Sequence, residues 1–342
     1  MYVLDNVPLS GFSTMRLGGI AAHLCEITER SQIAEAVSWA TERQLPIIMI
    51  GEGSNIIWRD EGFPGLVLVN KILRYEVFDE DGTNVYVTAG GGENWDDIVG
   101  RTVKAGLSGL EELSLIPGTV GATPVQNVGA YGREVKDTIT TVEAFDTHQG
   151  TLITIPGSDC EFDYRTSRFK TSDRGRFFIT AVTYHLMRNT IKQPFYDSLQ
   201  RYFNEHGTKE FTPQVIRDAV IDIRSTKLPD PKIIANNGSF FQNPVVSAGQ
   251  LAQLSADFPD LVYWQKPDGS AKISAAWLLE KTGYKDFHDE QTGMATWPKQ
   301  PLVFVNENAN QTADLLAFKQ KVLDAVQEKF NITLNQEPEL LP

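Results

Sequence analysis

Ile116-Pro117-Gly118-Thr119-Val120-Gly121-Ala122-Thr123-Pro124-Val125-Gln126-Asn127-Val128-Gly129-Ala130-Tyr131-Gly132 is the stretch on which the reading of this chain turns. Four glycines and two prolines among small residues cannot continue a helix or build an ordinary apolar core. A loop this extended usually wraps a ligand, the plainer alternative being an Ω-loop packed on itself. Immediately upstream, Val85 to Thr88 reads as a strand running into Gly90-Gly91-Gly92. Asn94 then caps a helix with Asp96 and Asp97 in its first turn, Ile98, Val99 and Val103 facing inward, and a stop at Gly106. Further upstream, a strand at His23 to Ile27, a helix N-capped by Ser31 with Ile33, Val37 and Ala40 at helical spacing, and a buried strand at Pro46 to Ile50 make a βαβ-like opening. That strand empties into Gly51-Glu52-Gly53-Ser54-Asn55. The pentapeptide lacks the full G-x-G-x-x-G and the P-loop lysine, so phosphate binding and a plain tight turn both remain open there.

Downstream, residues 142–187 are strand-rich, with Leu152 to Ile155 and Phe178 to Leu186 carrying β-branched and aromatic residues. Thr212-Pro213 reads as an N-cap and first helical residue before Val215, Ile216, Ala219, Val220 and Ile223. Lys227-Leu228-Pro229-Asp230-Pro231 is the clearest break. Beyond it the pattern predicts a strand from Ser239 to Val246, a helix from Ser274 to a stop at Gly283, a strand at Leu302 to Val305 and a long helix from Thr312 to Phe330. The class is α+β. Within Gly238-Ser239-Phe240-Phe241-Gln242-Asn243-Pro244, strand alternation puts Ser239, Phe241 and Asn243 on one face with Phe240 behind. No G-x-S-x-G elbow surrounds Ser239, which argues against a serine hydrolase. Tyr164-Arg165, followed by Ser167-Arg168-Phe169-Lys170, concentrates cations; a fixed guanidinium suits a carboxylate or enolate oxygen as well as an ordinary ion pair.

At 342 residues the chain has length for two or three domains. Its 41% hydrophobic and 22% charged residues and mean hydropathy of −0.24 are ordinary globular values. The formal charge of −13 disfavours nucleic acid, although a local positive pocket can still take an anionic small molecule. Cys25 and Cys160 lie far apart without a CxxC, and His23, His148, His185, His206 and His288 show no HxH or HExxH spacing, so neither a disulfide nor a metal is expected. The start, Met1-Tyr2-Val3-Leu4-Asp5, has no basic or apolar signal region, and no apolar run approaches the ~18 residues of a membrane span, which predicts a cytoplasmic protein without a membrane partner.

With these motifs in hand, the chain resembles the UDP-N-acetylenolpyruvoylglucosamine reductases, flavoenzymes of peptidoglycan precursor synthesis. The resemblance runs from Thr14-Met15-Arg16-Leu17-Gly18-Gly19 to Glu337-Pro338-Glu339, through Gly51 to Asn55, Ile116 to Gly132, Tyr164-Arg165 and Gly238 to Pro244. Phe195-Tyr196-Asp197 with Lys227 to Pro231 looks like the subtype in which a tyrosine loop closes over the substrate. It implies a two-lobed FAD-binding domain of the vanillyl-alcohol-oxidase type, lobes 1–72 and 73–218, and a C-terminal α+β substrate-binding domain, 219–342, whose last segment returns to the active site.

The resemblance further implies non-covalent FAD held by Gly51, Glu52, Gly53, Ser54, Asn55, Pro117, Gly118, Gly121, Ala122, Gln126, Asn127, Gly129, Ala130, Tyr131 and Gly132. NADPH is the implied hydride donor, and UDP-N-acetylglucosamine enolpyruvate the implied substrate, reduced to UDP-N-acetylmuramate. Flavin N5 would deliver hydride to the vinyl terminus, leaving an enolate-like species stabilised by Arg165 and Glu339 and protonated by Ser239. Tyr164, Tyr196, Lys227, Asn243 and Gln300 would contact the sugar nucleotide, in a monomer. Ser13 stands where the family often has asparagine, Gln242 replaces a frequent lysine, and three residues follow Glu339. An oxidase of the same superfamily would often attach FAD through His or Cys, and neither glycine loop contains a histidine. A catalytically silent binding protein on this scaffold would be expected to lack one of Ser239, Arg165 and Glu339; all three are present.

Overall fold

A computed structural model of the chain describes residues 1–188 and 190–342. By its contacts the chain divides into two compact units, residues 1–7, 21–52 and 63–226 in the first and 8–20, 53–62 and 227–342 in the second. The crossing at 226/227 falls on the proline-rich break. This division differs from the linear boundaries expected at 72/73 and 218/219, and the reason is long-range pairing. Strand Ile56–Trp58 lies parallel to the C-terminal strand Glu339–Leu341, and Met15, Leu17 and Ile57 are buried in the core of the second unit.

The first unit is built on two large sheets, one formed by residues 4–70 and one by residues 75–188, with a two-stranded turn at Gly129–Ala130 and Arg133–Glu134. The four-stranded sheet runs in the order Leu4–Pro8, Ile20–Ile27, Phe63–Asn70, Ile47–Ile50, the last three parallel. Helix Ser31–Glu42 makes the crossover between parallel strands and buries Ile33, Ala36 and Ala40. Ser31 is its first residue and not its cap, because Gln32 reaches back to accept from the backbone N–H groups of Thr28 and Glu29 at 2.8 and 3.0 Å. The second sheet is antiparallel, in the order Thr151–Pro156, Ile139–Asp146, Phe177–Arg188, Asn84–Gly90, Tyr75–Asp79, with Leu107–Ser108 beside the central strand. Helix Trp95–Lys104 is capped as read, the Asn94 side chain accepting from Asp97 N–H at 3.1 Å, and Gly106 follows at φ +73°. Helices Asp197–Glu205 and Pro213–Lys227 bury Leu199, Phe203, Ile216, Ala219 and Val220 together.

The second unit is built on a four-stranded sheet, Asn236–Ser239, Gln300–Asn306, Met294–Trp297, His288–Asp289, with a three-stranded sheet and the long helix Thr312–Phe330. Its centre is aromatic: Phe240 stacks on Phe304 at 4.5 Å between ring centroids, and Phe304 meets Phe318 edge-on at 4.9 Å. Burial of both Phe240 and Phe241 overturns the alternation expected across Ser239 to Val246. The strand ends at Ser239, and Val245–Val246 belongs to the three-stranded sheet. Gly238 at φ +70° sits in a register shift opposite the Val303–Val305 strand, and two aromatic side chains then enter one core.

Candidate active site

In the first unit the glycine-rich run is bound to the turn that ends strand Asn84–Gly90. Gly121 N–H donates to Gly91 O at 2.9 Å, Val120 N–H to Glu93 O at 3.0 Å, and Trp95 N–H to Gly118 O at 3.0 Å. Pro117, Gly118, Gly121, Ala122, Gln126, Asn127, Gly129, Ala130, Tyr131 and Gly132 are thereby strung along one fixed loop, with Ala130 paired to Arg133 in a short antiparallel turn. Gly51 has to be glycine, because a Cβ there would lie 2.3 Å from Thr119 Oγ1. Glu52 accepts from Asn94 Nδ2 at 3.3 Å, which joins the two glycine segments of this unit. Asn127 is fully buried and its side chain is committed to the protein. Nδ2 donates to Glu134 Oε2 and Asp163 O at 2.9 and 3.0 Å, and Oδ1 accepts from Lys136 N–H at 3.2 Å. What Asn127 can offer a ligand is its backbone.

Arg165, at φ +56°, donates through Nη2 to Gly129 O at 2.6 Å and lies 5.3 Å from the centre of the Tyr164 ring. A Cβ at Gly129 would stand 2.8 Å from Arg165 Nη1, so the run and the guanidinium are fitted to each other. Tyr196, 39% exposed, is the residue before helix Asp197–Glu205, and its ring meets Tyr131 edge-on at 6.3 Å. Burial raises the Tyr131 phenol above its ordinary pKa, with Arg224 opposing the shift. Arg133, next after Gly132, pairs with the buried Glu112 at 3.1 Å.

In the second unit Gly53 sits at φ +77°, where a Cβ would strike Phe12 O. Gly53, Ser54 and Asn55 lead into the strand that receives the C-terminus: Glu339 N–H donates to Asn55 O at 2.9 Å, and Arg59 N–H to Leu341 O at 3.2 Å. The returning strand is Glu339–Leu341, and Leu341 is 3% exposed. Ser239 and Glu339 belong to one hydrogen-bonded patch. Phe240 N–H donates to Leu302 O at 2.7 Å, Glu337 N–H to Phe240 O at 2.9 Å, and Gln242 N–H to Asn335 O at 2.9 Å. Asn243 Oδ1 accepts from Ala275 N–H at 2.9 Å, Lys227 O accepts from Trp297 Nε1 at 3.1 Å, and Gln300 opens the strand opposite Trp297.

Two residues of this architecture escaped the sequence reading. Thr119 Oγ1 is buried without a hydrogen-bond partner, and so is Asn237 Oδ1. Thr119 lies inside the run but was overshadowed by its glycines, and nothing local distinguishes Asn237 from the neighbouring Asn236. The donor set fits a flavin dinucleotide. Glycines leave backbone open to close approach, and the Thr119 hydroxyl is a buried donor in want of an acceptor, which a pyrophosphate oxygen provides.

Residues 21–156 match the FAD binding domain family, and residues 230–341 match the UDP-N-acetylenolpyruvoylglucosamine reductase C-terminal domain. The UDP-N-acetylenolpyruvoylglucosamine reductase of Alcanivorax borkumensis is 40% identical over 339 residues, 99% of this chain and 96% of that protein. The one from Ralstonia nicotianae is 39% identical over 342 residues, 99% of both. The crystal structure of UDP-N-acetylenolpyruvylglucosamine reductase from Thermus caldophilus shares the fold at TM-score 0.68, with 23% identity over the whole of both chains. The chain belongs to the UDP-N-acetylenolpyruvoylglucosamine reductase family. It is an enzyme, an oxidoreductase of α+β fold with FAD as its cofactor.

Proposed function

We propose that this chain reduces the enolpyruvyl group of UDP-N-acetylglucosamine enolpyruvate to give UDP-N-acetylmuramate, with NADPH as reductant, in peptidoglycan precursor synthesis. The observation that carries this reading is the second unit's patch. A half-buried serine at a strand end and a half-buried glutamate on the C-terminal strand are borne on one backbone network, which begins beside Gly53-Ser54-Asn55. FAD, when bound, would supply hydride-transfer chemistry between NADPH and the enolpyruvyl group. Gly51 to Asn55 and Pro117 to Gly132 would hold it, Thr119 with them, and no His or Cys stands in either segment for a covalent link.

The remaining work falls to the chain's own side chains. Addition of hydride to an enolpyruvyl carbon places negative charge on the neighbouring carbon and its carboxylate. Arg165 holds a guanidinium for that charge, fixed by Gly129 O, and a preorganised cation does not have to reorient as charge develops. Ser239 gives its hydroxyl proton to the adjacent carbon, and Glu339 acts with Arg165 on the anion. Tyr164, Tyr196, Lys227, Asn243 and Gln300 contact the sugar nucleotide, Tyr196 from an exposed helix start whose ring rests on Tyr131. We place the enzyme in the cytoplasm as a monomer. Cys25 and Cys160 are free and buried, and one chain carries Ser239, Arg165 and Glu339.

The test is anaerobic. NADPH should bleach the flavin absorbance, and the enolpyruvyl sugar nucleotide should restore it with formation of UDP-N-acetylmuramate. A protein that binds no FAD, or whose reduced flavin is reoxidised no faster by the nucleotide than by buffer, overturns the reading.

A further inference from the structure

Asn236 and Asn237 are neighbours of opposite character. Asn236 closes on its own turn, Nδ2 donating to Ile234 O at 2.8 Å and Oδ1 accepting from Gly238 N–H at 2.9 Å. Asn237, 5% exposed, is satisfied at one end only. Its Nδ2 faces Thr14 Oγ1 at 3.0 Å and the carbonyls of Ser54, Ile56 and Gly53 at 3.2, 3.3 and 3.4 Å. That all-oxygen surround fixes the amide's orientation, because the flipped form would set its carbonyl against three others. Oδ1 must therefore point away from the loop, and there it has no donor. A buried acceptor left unmade is costly and needs an explanation in any folded protein.

We propose that Asn237 Oδ1 is a cofactor contact, accepting a hydrogen bond from an O–H or N–H of bound FAD. This rests on the reading of Gly53-Ser54-Asn55 as part of the FAD site. The phosphates are excluded as its partner, since ionised phosphate oxygens only accept and would face a carbonyl oxygen. The hydroxyl-bearing or N–H-bearing parts of the dinucleotide can donate, so Asn237 complements the Thr119 hydroxyl, which suits a phosphate. The same side chain then has two duties. Nδ2 ties residues 53–56 to the segment two residues before Ser239, and Oδ1 reports whether the cofactor is in place. FAD binding thereby steadies the strand that carries the proposed proton donor, which makes Asn237 a positioning residue for Ser239 as well.

The experiment uses the full chain stripped of FAD and titrated with FAD by flavin fluorescence, for the wild type and Asn237→Ala, with the melting midpoint of each apoprotein measured separately. The lost tether lowers the apoprotein midpoint. The lost acceptor weakens FAD binding on its own account, with Kd rising about tenfold, the scale of one buried hydrogen bond left unmade. In the wild type with 13C-labelled asparagine side chains, the Asn237 carbonyl resonance should shift on FAD addition; this readout survives if the alanine variant fails to fold. A variant whose FAD Kd stays within twofold of wild type, or a carbonyl resonance unmoved by FAD, shows that Oδ1 meets only buried water and overturns the proposal. Failure of the wild-type chain to take up FAD overturns the functional reading instead.

Discussion

Asn127 stands in the glycine run of the first unit and Asn237 in the strand of the second unit that faces Gly53 to Ile56, and they are equipped differently. Every polar atom of the Asn127 side chain has a protein partner, and the loop around it is fastened from Gly91 to Asp163. Asn237 has a crowd of acceptors at one end and nothing at the other. The first segment is satisfied around Asn127, fixes the Arg165 guanidinium through Gly129 O, and leaves only the Thr119 hydroxyl buried without a partner among its described residues. The second carries groups whose partners arrive with ligands. Substitutions in the two segments should therefore fail in different ways.

The largest effect is expected where the proposed chemistry is borne. Ser239→Ala should leave reduction of the flavin by NADPH nearly intact and slow its reoxidation by the enolpyruvyl nucleotide by about 10²–10⁴-fold, the usual range for general acid catalysis. Stopped-flow traces in which both half-reactions slow equally would remove Ser239 from that role and erase the distinction between the segments. Glu339→Gln comes next. Its backbone bond to Asn55 O does not depend on the carboxylate, so the variant should fold, bind FAD and accept hydride from NADPH, yet lose on the order of 10²-fold in the second half-reaction. Full turnover in a chain lacking residues 339–342 would show that the C-terminal strand is only a brace.

Gly129→Ala probes the first segment. The added Cβ would stand 2.8 Å from both Arg165 Nη1 and Arg133 O, so the guanidinium and the short Ala130–Arg133 turn both have to shift. About tenfold loss in reoxidation by the nucleotide is expected from misplacement of this size, with FAD affinity measured alongside because Gly129 belongs to the segment proposed to hold the cofactor. Unaltered kinetics in both halves would mean that Arg165 is not held by the run in any way that matters.

The local part of this architecture was legible in the sequence, and the long-range part was not. Asn94 as a cap, the Gly106 stop and the long helix Thr312–Phe330 follow from signals within a few residues, and all three are found where read. Helix Asp197–Glu205 went unread because it is only nine residues long and rests on two buried positions, Leu199 and Phe203, too short a run to stand out from its polar surroundings. The strand expected across Ser239 to Val246 failed for a different reason: alternation presumes one buried face, and here Phe240 and Phe241 both enter a core shared with Phe304 and Phe318. Residues 53–62 joined the second unit through pairing with a strand some 280 residues away, which periodicity cannot reveal. The glycine-rich segments stood out as candidate motifs because glycine and proline mark special backbone openly. Thr119 and Asn237 did not, since a buried polar atom without a partner is visible only once its neighbours are placed.

The smallest effect on turnover, and the sharpest test of the scaffold as scaffold, concerns Glu111. It sits in the short helical turn before the glycine run, 3% exposed, accepting from Gly109 N–H at 2.5 Å beside Glu112, which holds Arg133 at the end of the run. Burial, reinforced by the Glu112 charge, pushes the Glu111 carboxyl up to about 7 from an ordinary 4.5. The unfolded chain therefore releases this proton near pH 4.5 while the folded chain keeps it to about pH 7. Over that window the unfolded state binds fewer protons, so stability falls as pH rises, and the full cost, on the order of 1–3 kcal/mol, is present above pH 7. Glu111→Gln keeps an oxygen for Gly109 N–H and cannot ionise, so its melting midpoint should exceed that of the wild type by a few degrees at pH 8 and converge with it near pH 4.5. Both half-reactions should run at wild-type rates, because the residue supports the loop and touches no reacting atom. Equal midpoints at both pH values would show that the buried carboxyl is charged and compensated in the folded protein. A slowed half-reaction in a fully folded Glu111→Gln enzyme would break the comparison itself, placing chemistry in the segment read as support.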